Sequence, residues 1–362
     1  MEITKGKISI RQAYIIVILA LTAPSLRVIP NYVARIAKEA GWETPFLVII
    51  PGVILVYVIN SLFQKHQEDS LYEVFMSVFG KTITKIIFLV YGIWIVFLCS
   101  MYLRMFGERF VGTLLFNANM RALLGLMMIF VGIAVLKKFE TLGRLSEILL
   151  LFFIILFTTV TLAILPQIHL ENLYPVTYYD TLPVLKSVLP VFSLFSYITP
   201  LMILGDKISH KDKLKTYGKR ALYVLAAFFL MLILSTVGLF GYSVSQQFIF
   251  PYYFVLNSVS LFGNVERLES LFISTWLASD FTIVLFFLFM AKQTAQKLLP
   301  IKKQIFYVIP LCIVIYVLAV MVFRNVSQVE QFASNILYYI NIGLFALIPL
   351  IALIVGKVRK VV

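Results

Sequence analysis

Long, unbroken runs of apolar residues, separated by short polar connections, dominate the chain. A membrane-spanning helix needs about 20 mostly apolar residues, and the backbone groups of such a helix are satisfied within it. The pattern therefore predicts an all-α polytopic membrane protein, a single transmembrane domain over residues 1–362. Ten spans are predicted, at about 9–38, 46–63, 85–108, 122–136, 145–165, 184–204, 220–242, 268–291, 306–323 and 336–355.

The composition excludes most soluble classes of protein. Hydrophobic residues make up 61% of the chain and charged residues only 13%, whereas soluble proteins average about 25% charged residues. A large soluble domain and a nucleic-acid-binding protein are therefore not expected. Cys99 and Cys312 both fall inside predicted spans, so they predict no disulfide framework.

The basic residues are distributed unevenly between the two sets of connections. With the N-terminus placed in the cytoplasm, 22 of the 31 Lys and Arg residues lie in inner segments. The positive-inside rule then predicts that both termini are cytoplasmic. The 207–220 connection carries six of these residues, and we expect it to lie opposite the 166–183 and 243–267 connections.

Two of the predicted spans carry hydroxyl residues beside prolines near their middle. Span one has Thr-Ala-Pro-Ser at 22–25 and then Pro30, and span six has the stretch 193–200, which ends in proline. The two sites are five spans apart, and an odd repeat must insert its second copy upside down. We therefore predict two inverted repeats, 9–165 and 184–355, with broken helices one and six. Two ordinary proline kinks are the alternative.

Breaks of this kind favour a site for a small zwitterion. The freed N–H groups suit a carboxylate, and the freed carbonyl groups suit an ammonium group or a cation. An amino acid could use both. Residues of the two breaks, with side walls from spans three and eight, form the predicted ligand site: Thr22, Ala23, Pro24, Ser25, Leu26, Leu98, Phe195, Ser196, Tyr197, Asp280 and Thr282.

Asp280 is predicted to be a lone carboxylate about twelve residues into span eight. Such a residue costs about 2.5–3.5 kcal/mol on insertion and usually marks a pathway. It could bind the ammonium group of a ligand, carry protons, or form a protonated structural hydrogen bond. Arg104 and Glu108, four residues apart, are read as a pair within one helix. The sequence carries no catalytic or metal-binding motif, so we expect no enzyme activity, cofactor or metal.

Several short motifs together resemble the B-subunit permeases of spore germinant receptors of the GerA type, in the amino acid–polyamine–organocation transporter superfamily. The resemblance covers nearly the whole chain. The motifs are Glu266-Arg267-Leu268-Glu269-Ser270 followed by Trp276, Arg144-Leu145-Ser146-Glu147, Asn172-Leu173-Tyr174-Pro175, and Ser70-Leu71-Tyr72-Glu73 with Phe79-Gly80-Lys81.

The resemblance implies a LeuT-like fold and a small nutrient ligand, often an L-amino acid, whose binding triggers spore germination. It also implies assembly with a large A-type membrane subunit and a C-type lipoprotein in the spore inner membrane, with both termini on the core side. The chain departs from the family at both breaks: 22–25 replaces a glycine-rich element, and 195–197 replaces a Phe-Gly or Gly-Glu element. A proton-coupled amino-acid transporter and a structural subunit with a decayed site remain the alternatives.

Overall fold

A computed structural model of the chain describes residues 6–113, 117–258, 267–323 and 326–362. Residue 266 and the side chains of 267–270, which carry one of the family motifs, lie outside this description. The described helices and strands are β1 (Ile8–Ser9), α1 (Ile10–Ala37), α2 (Thr44–Leu47), α3 (Ile49–Phe63), α4 (Leu71–Phe79), α5 (Lys81–Thr113), α6 (Met120–Val135), α7 (Phe139–Ile164), α8 (Thr181–Phe195), α9 (Ile198–Leu201), β2 (Ile208–Ser209), α10 (Leu214–Phe240), α11 (Tyr242–Ser245), α12 (Pro251–Ser258), α13 (Arg267–Leu298), α14 (Ile305–Met321), α15 (Val326–Phe332), α16 (Tyr338–Ile342) and α17 (Ile348–Val358).

Apolar helices account for all the predicted spans, although their lengths differ. Seven helical stretches in the described chain are long and apolar enough to cross a membrane. Three shorter apolar helices, Ile10–Leu26, Met120–Val135 and Ile305–Met321, coincide with predicted spans one, four and nine. The all-α membrane fold is therefore confirmed, while the count of ten crossings stays a prediction.

The first helix does not break at its prolines. Helix α1 starts behind Ser9, whose side chain accepts from the backbone N–H of Gln12, while the Gln12 side chain accepts from Ser9 in a capping box. It then continues as one 28-residue helix with Pro24 and Pro30 inside it. The helix therefore continues through the predicted interruption at 22–25, where Pro24 leaves it without one N–H donor.

The predicted inner segments lie together at one end of the bundle, which we call the terminal face. Strands β1 and β2 pair in parallel and join the N-terminus to the 207–220 connection. Arg359 near the C-terminus donates to the Val78 carbonyl of α4 at 2.8 Å. Helix α4 begins with a capping box formed by Ser70 and Glu73. The assignment of this face to the cytoplasm rests on the charge distribution.

The centre of the bundle is built from α1, α5, α8, α9, α13 and the last span, residues 326–358. Helix α5 packs along α13, and α1 packs on α7, α8, α10 and α13. These helices carry many fully buried aromatic side chains, including Tyr91, Tyr197, Phe287 and Phe345. The predicted ligand residues lie on this set of helices.

Candidate functional site

The sixth span changes its backbone at the predicted position. Helix α8 ends at Phe195, Ser196 and Tyr197 form a turn, and α9 begins at Ile198. Pro200 has no N–H to donate to the carbonyl of Ser196, which instead accepts from the Thr199 N–H at 3.0 Å. This tighter bond replaces an α-helical one and explains the change locally.

The hydroxyl group of Tyr197 belongs to a chain of polar side chains that joins three spans. It lies 2.8 Å from the Tyr102 hydroxyl of α5 and accepts from the Asn341 amide of α16 at 3.1 Å. The Trp94 indole donates to the other end of that amide at 2.9 Å. Tyr102, Tyr197 and Asn341 are buried, and satisfied buried networks of this kind fix one arrangement of the surrounding helices. We call Trp94, Asn341, Tyr197 and Tyr102 the polar chain.

The last span has an irregular backbone on both sides of Asn341. Residues Ala333–Leu337 and Gly343–Leu347 are π-helical. Helices widened in this way are frequent at functional sites. Side chains from other spans reach the carbonyls of the second segment: Thr199 donates to Phe345 at 2.5 Å, and Tyr91 donates to Leu344 at 2.6 Å.

A small closed cavity adjoins the polar chain. Its volume, about 10 Å³, leaves room for one water-sized sphere, far below the roughly 300–1,000 Å³ of a ligand pocket. The hydroxyl of Tyr32, also in its wall, donates to the Glu330 carboxylate at 3.0 Å. The cavity is therefore too small for an amino acid with the helices packed as they are here. Its lining comes from α1, α5, α8 and the last span: Tyr32, Met101, Tyr102, Met105, Pro190, Ser193, Leu194, Ala333, Leu337 and Tyr338.

A hydroxyl group from α13 supports the proline site of α1. Ser279 Oγ accepts from the Ala23 N–H at 2.9 Å and donates to the Leu19 carbonyl at 2.7 Å. It also lies 2.5 Å from Thr22 Oγ1. Pro24 removes the donor for the next carbonyl. One side chain of α13 thus bridges the N–H of Ala23 and the carbonyl of Leu19, one residue before the bond that Pro24 cannot make.

Other predicted site residues are buried but differ in their bonding. Ser25 is fully buried and its hydroxyl has no hydrogen-bond partner in the described chain. The Ser196 and Thr282 hydroxyls donate to carbonyls of their own helical turns, Ser193 at 2.6 Å and Ala278 at 2.7 Å. Leu26, Leu98 and Phe195 are buried apolar side chains.

Asp280 is not a lone carboxylate, and this expectation was wrong. It forms a buried ion pair with Arg109 of α5, whose guanidinium also lies 4.2 Å from the centre of the Trp276 ring. Helix α5 extends to Thr113, five residues beyond the predicted end of the third span at Glu108, and Arg109 lies in this extension. The predicted Arg104–Glu108 pair is present at 2.5 Å.

The sequence reasoning also missed Tyr102, Trp94 and Asn341. Asn341 could have been found, because it stands between Ile340 and Ile342 in an apolar run, and a polar residue at membrane depth marks functional positions. No group of three potential metal ligands occurs among the described residues.

Comparisons with known proteins agree with this architecture. A family model described as spore germination protein (spore permease) matches residues 7–329. Spore germination protein KB of Bacillus subtilis (strain 168) is 21% identical over 361 residues, 98% of this chain and 96% of that protein. Spore germination protein YndE of the same strain is 23% identical over 361 residues, 98% of both chains.

The fold is similar to that of a solved transporter. A Na⁺-coupled sialic acid symporter in a substrate-bound, outward-open state matches with a TM-score of 0.65 at 12% identity, over 93% of this chain and 79% of the symporter. At that identity the likeness shows the LeuT-like fold alone. The family match over nearly the whole chain shows that this protein belongs to the spore germination permeases.

Proposed function

We propose that this protein is the nutrient-sensing membrane subunit of a spore germinant receptor, and that its ligand is a small zwitterion such as an L-amino acid. The observation that carries the proposal is the polar chain, which meets the interrupted sixth span beside a closed cavity. The names of the two Bacillus subtilis relatives support a role in spore germination. The symporter-like fold supports a binding site at the centre of the bundle.

The ligand would act by stabilising an expanded form of the cavity. A ligand shifts a conformational equilibrium only by binding one state more tightly than the other. In the structure the hydroxyls of Tyr102 and Tyr197 bond to each other. In the expanded state they would bond to the ligand, and the unpartnered Ser25 hydroxyl would become a further donor. The ligand would thereby move α5 away from α8 and α9, and this movement would signal that the ligand is bound.

A proton-coupled amino-acid transporter is the alternative, with Asp280 as the proton carrier. The buried ion pair favours the receptor, because the carboxylate that would have to exchange protons is engaged by Arg109. An ammonium-binding role would likewise require the ligand to displace that guanidinium. We therefore propose that the ligand binds beside Tyr197 and that Asp280 stabilises the helix packing through Arg109.

The same proposal assigns partners and location. The chain would assemble with a large A-type membrane subunit and a C-type lipoprotein in the spore inner membrane, with the terminal face towards the spore core. The concentration of basic residues in the predicted inner connections supports that orientation.

Hydroxyl deletions in the polar chain test the proposed site. Tyr197→Phe and Tyr102→Phe should each raise the L-amino-acid concentration for half-maximal germination about 3- to 10-fold, the effect of one lost hydrogen bond. Tyr223→Phe is the matched control, since Tyr223 is 51% exposed on the outside of the bundle. Equal protein levels in the spores are required. Unchanged nutrient dependence in both variants would count against the site.

A further inference from the structure

Helices α5, α13 and α14 enclose an apolar groove on the outer surface of the bundle. Its volume is about 740 Å³, and apolar side chains such as Leu89, Ile93 and Val314 line it. Small residues deepen it, among them Gly92 and Ala295. The groove is the size of a ligand pocket, although it opens sideways to the surroundings of the protein.

One end of this groove is strongly basic. Lys85 belongs to its lining, and Lys81 stands one helical turn before Lys85 on α5. Leu298 and Leu299 also belong to the lining, and the connection that follows them carries Lys302 and Lys303. All four lysine side chains are exposed. None of them is in an ion pair with a described residue.

Glu73, the acidic residue of α4, does not neutralise the basic end of the groove. Glu73 is bound to Lys297 at 2.5 Å. Burial raises the pKa of the Glu73 carboxyl, but hydrogen bonds from Lys297 and Ser70 outweigh burial and hold that pKa below its ordinary value. Glu73 therefore stays ionised and committed to Lys297, and the four lysines keep an uncompensated positive charge.

We propose that this groove binds an anionic phospholipid. The acyl chains lie along α5, α13 and α14, and the phosphate group lies among Lys81, Lys85, Lys302 and Lys303. Basic pockets between membrane helices on the cytoplasmic side of a membrane bind such anionic head groups. An apolar partner helix would fill the groove, but it would leave the four lysines without a counter-charge. Binding there would couple the terminal face to the lipid composition of the membrane.

The test uses the full chain, purified in detergent, and its thermal unfolding midpoint as lipid is added. A bound lipid raises the midpoint with its concentration. Phosphatidylglycerol should stabilise the protein, and phosphatidylcholine should do so much less. Lys81→Gln/Lys85→Gln should weaken the apparent affinity for phosphatidylglycerol roughly 30-fold. Lys215→Gln/Lys219→Gln, which removes the same charge from the 207–220 connection, is the matched control and should bind like wild type.

A groove-filling variant and a soluble anion separate the lipid from its head group. Ala295→Phe should abolish stabilisation by phosphatidylglycerol while leaving the unfolding midpoint without lipid near that of wild type. Glycerol phosphate, which lacks acyl chains, should give no shift. The proposal is overturned if phosphatidylcholine works equally well, if the two double variants respond alike, if Ala295→Phe still responds, or if glycerol phosphate suffices.

Discussion

The first and sixth spans carry similar residues, a proline beside hydroxyl side chains, but their backbones differ. Helix α1 continues through Pro24, whereas the sixth span stops at Phe195 and resumes at Ile198. The difference lies in the hydrogen bonds beside the proline. Ser279 of a neighbouring helix bridges the weak turn of α1, and the sixth span tightens its own backbone at Thr199. Prolines are tolerated in membrane helices where side chains and local changes of the backbone adjust the hydrogen bonds around them, and the two spans show these two responses.

This comparison also distinguishes residues that stabilise the helix packing from residues that we expect to respond to the nutrient. The bridged turn of α1 is fastened to α13 at Ser279, next to the Asp280–Arg109 ion pair. The turn at 196–197 in the sixth span places Tyr197 in the polar chain. We therefore expect changes on the α13 side to lower stability, and changes at the sixth span to alter the response to nutrient.

The largest effect is expected from breaking the ion pair. Asp280→Asn leaves the buried guanidinium of Arg109 without its counter-charge, and such a change costs about 3–5 kcal/mol of unfolding free energy. The Asp280→Asn/Arg109→Gln double variant should recover much of that loss. Thermal unfolding of both variants in detergent measures the effect. Wild-type stability of the single variant would show that Asp280 does not anchor α13.

Removing the Ser279 hydroxyl, which bridges Ala23 and Leu19, should lower the unfolding free energy by less than breaking the ion pair. Ser279→Ala removes the acceptor for the Ala23 N–H and a donor to the Leu19 carbonyl, at a cost of about 1–3 kcal/mol. Thr282→Val is the control on the same helix, because its hydroxyl bonds only within its own helix, to Ala278. Amide hydrogen exchange should be faster at Ala23 in Ser279→Ala alone. Equal exchange in the two variants would contradict the role of the bridge.

Replacing each proline tests the comparison directly. Pro24→Ala restores a donor inside an existing helix and should raise the unfolding free energy by up to about 1 kcal/mol without changing the nutrient response. Pro200→Ala allows a regular bond to the Ser196 carbonyl. It should lengthen α8, move the Tyr197 hydroxyl and raise the nutrient concentration needed for germination. If both variants affected stability and response alike, the two spans would not differ in function.

The sequence predicts the helical spans well because lipid imposes a strict requirement. Every backbone group must be satisfied within its helix, so apolar runs translate directly into spans. The weak points at Pro24 and Pro200 were also visible. The hydrogen bonds that form beside such a proline depend on residues elsewhere in the chain. Ser279, which accepts from the Ala23 N–H, is 256 positions from it.

The polar chain could not be predicted from the sequence for the same reason. Tyr102 and Asn341 lie 95 and 144 positions from Tyr197, and no local pattern connects them. The predicted third span stops five residues before the end of α5 and leaves out Arg109, the partner of Asp280. The inverted repeats at 9–165 and 184–355 and the ligand contacts of the predicted site remain predictions.

The smallest expected effect concerns the inner end of the sixth span. Lys297 of α13 bonds Glu73 of α4 at 2.5 Å and lies 3.8 Å from Asp206, just after α9. These side chains are 21–33% exposed, so the contribution of the ion pairs is about 0–1 kcal/mol. Lys297 thus links the inner end of the sixth span to α4 and α13.

The pH dependence of stability should reveal this contact. Because the folded-state pKa of Glu73 lies below its ordinary value of 4.5, its contribution is present above about that pH and is lost as the pH falls through the folded-state pKa. Glu73→Gln should therefore lower stability slightly at pH 7 and reduce the loss of stability below pH 4.5. Glu171→Gln, an exposed carboxylate in the 166–183 connection, is the matched control. Parallel acid unfolding curves for wild type and Glu73→Gln would show that Glu73 does not hold this end of the sixth span.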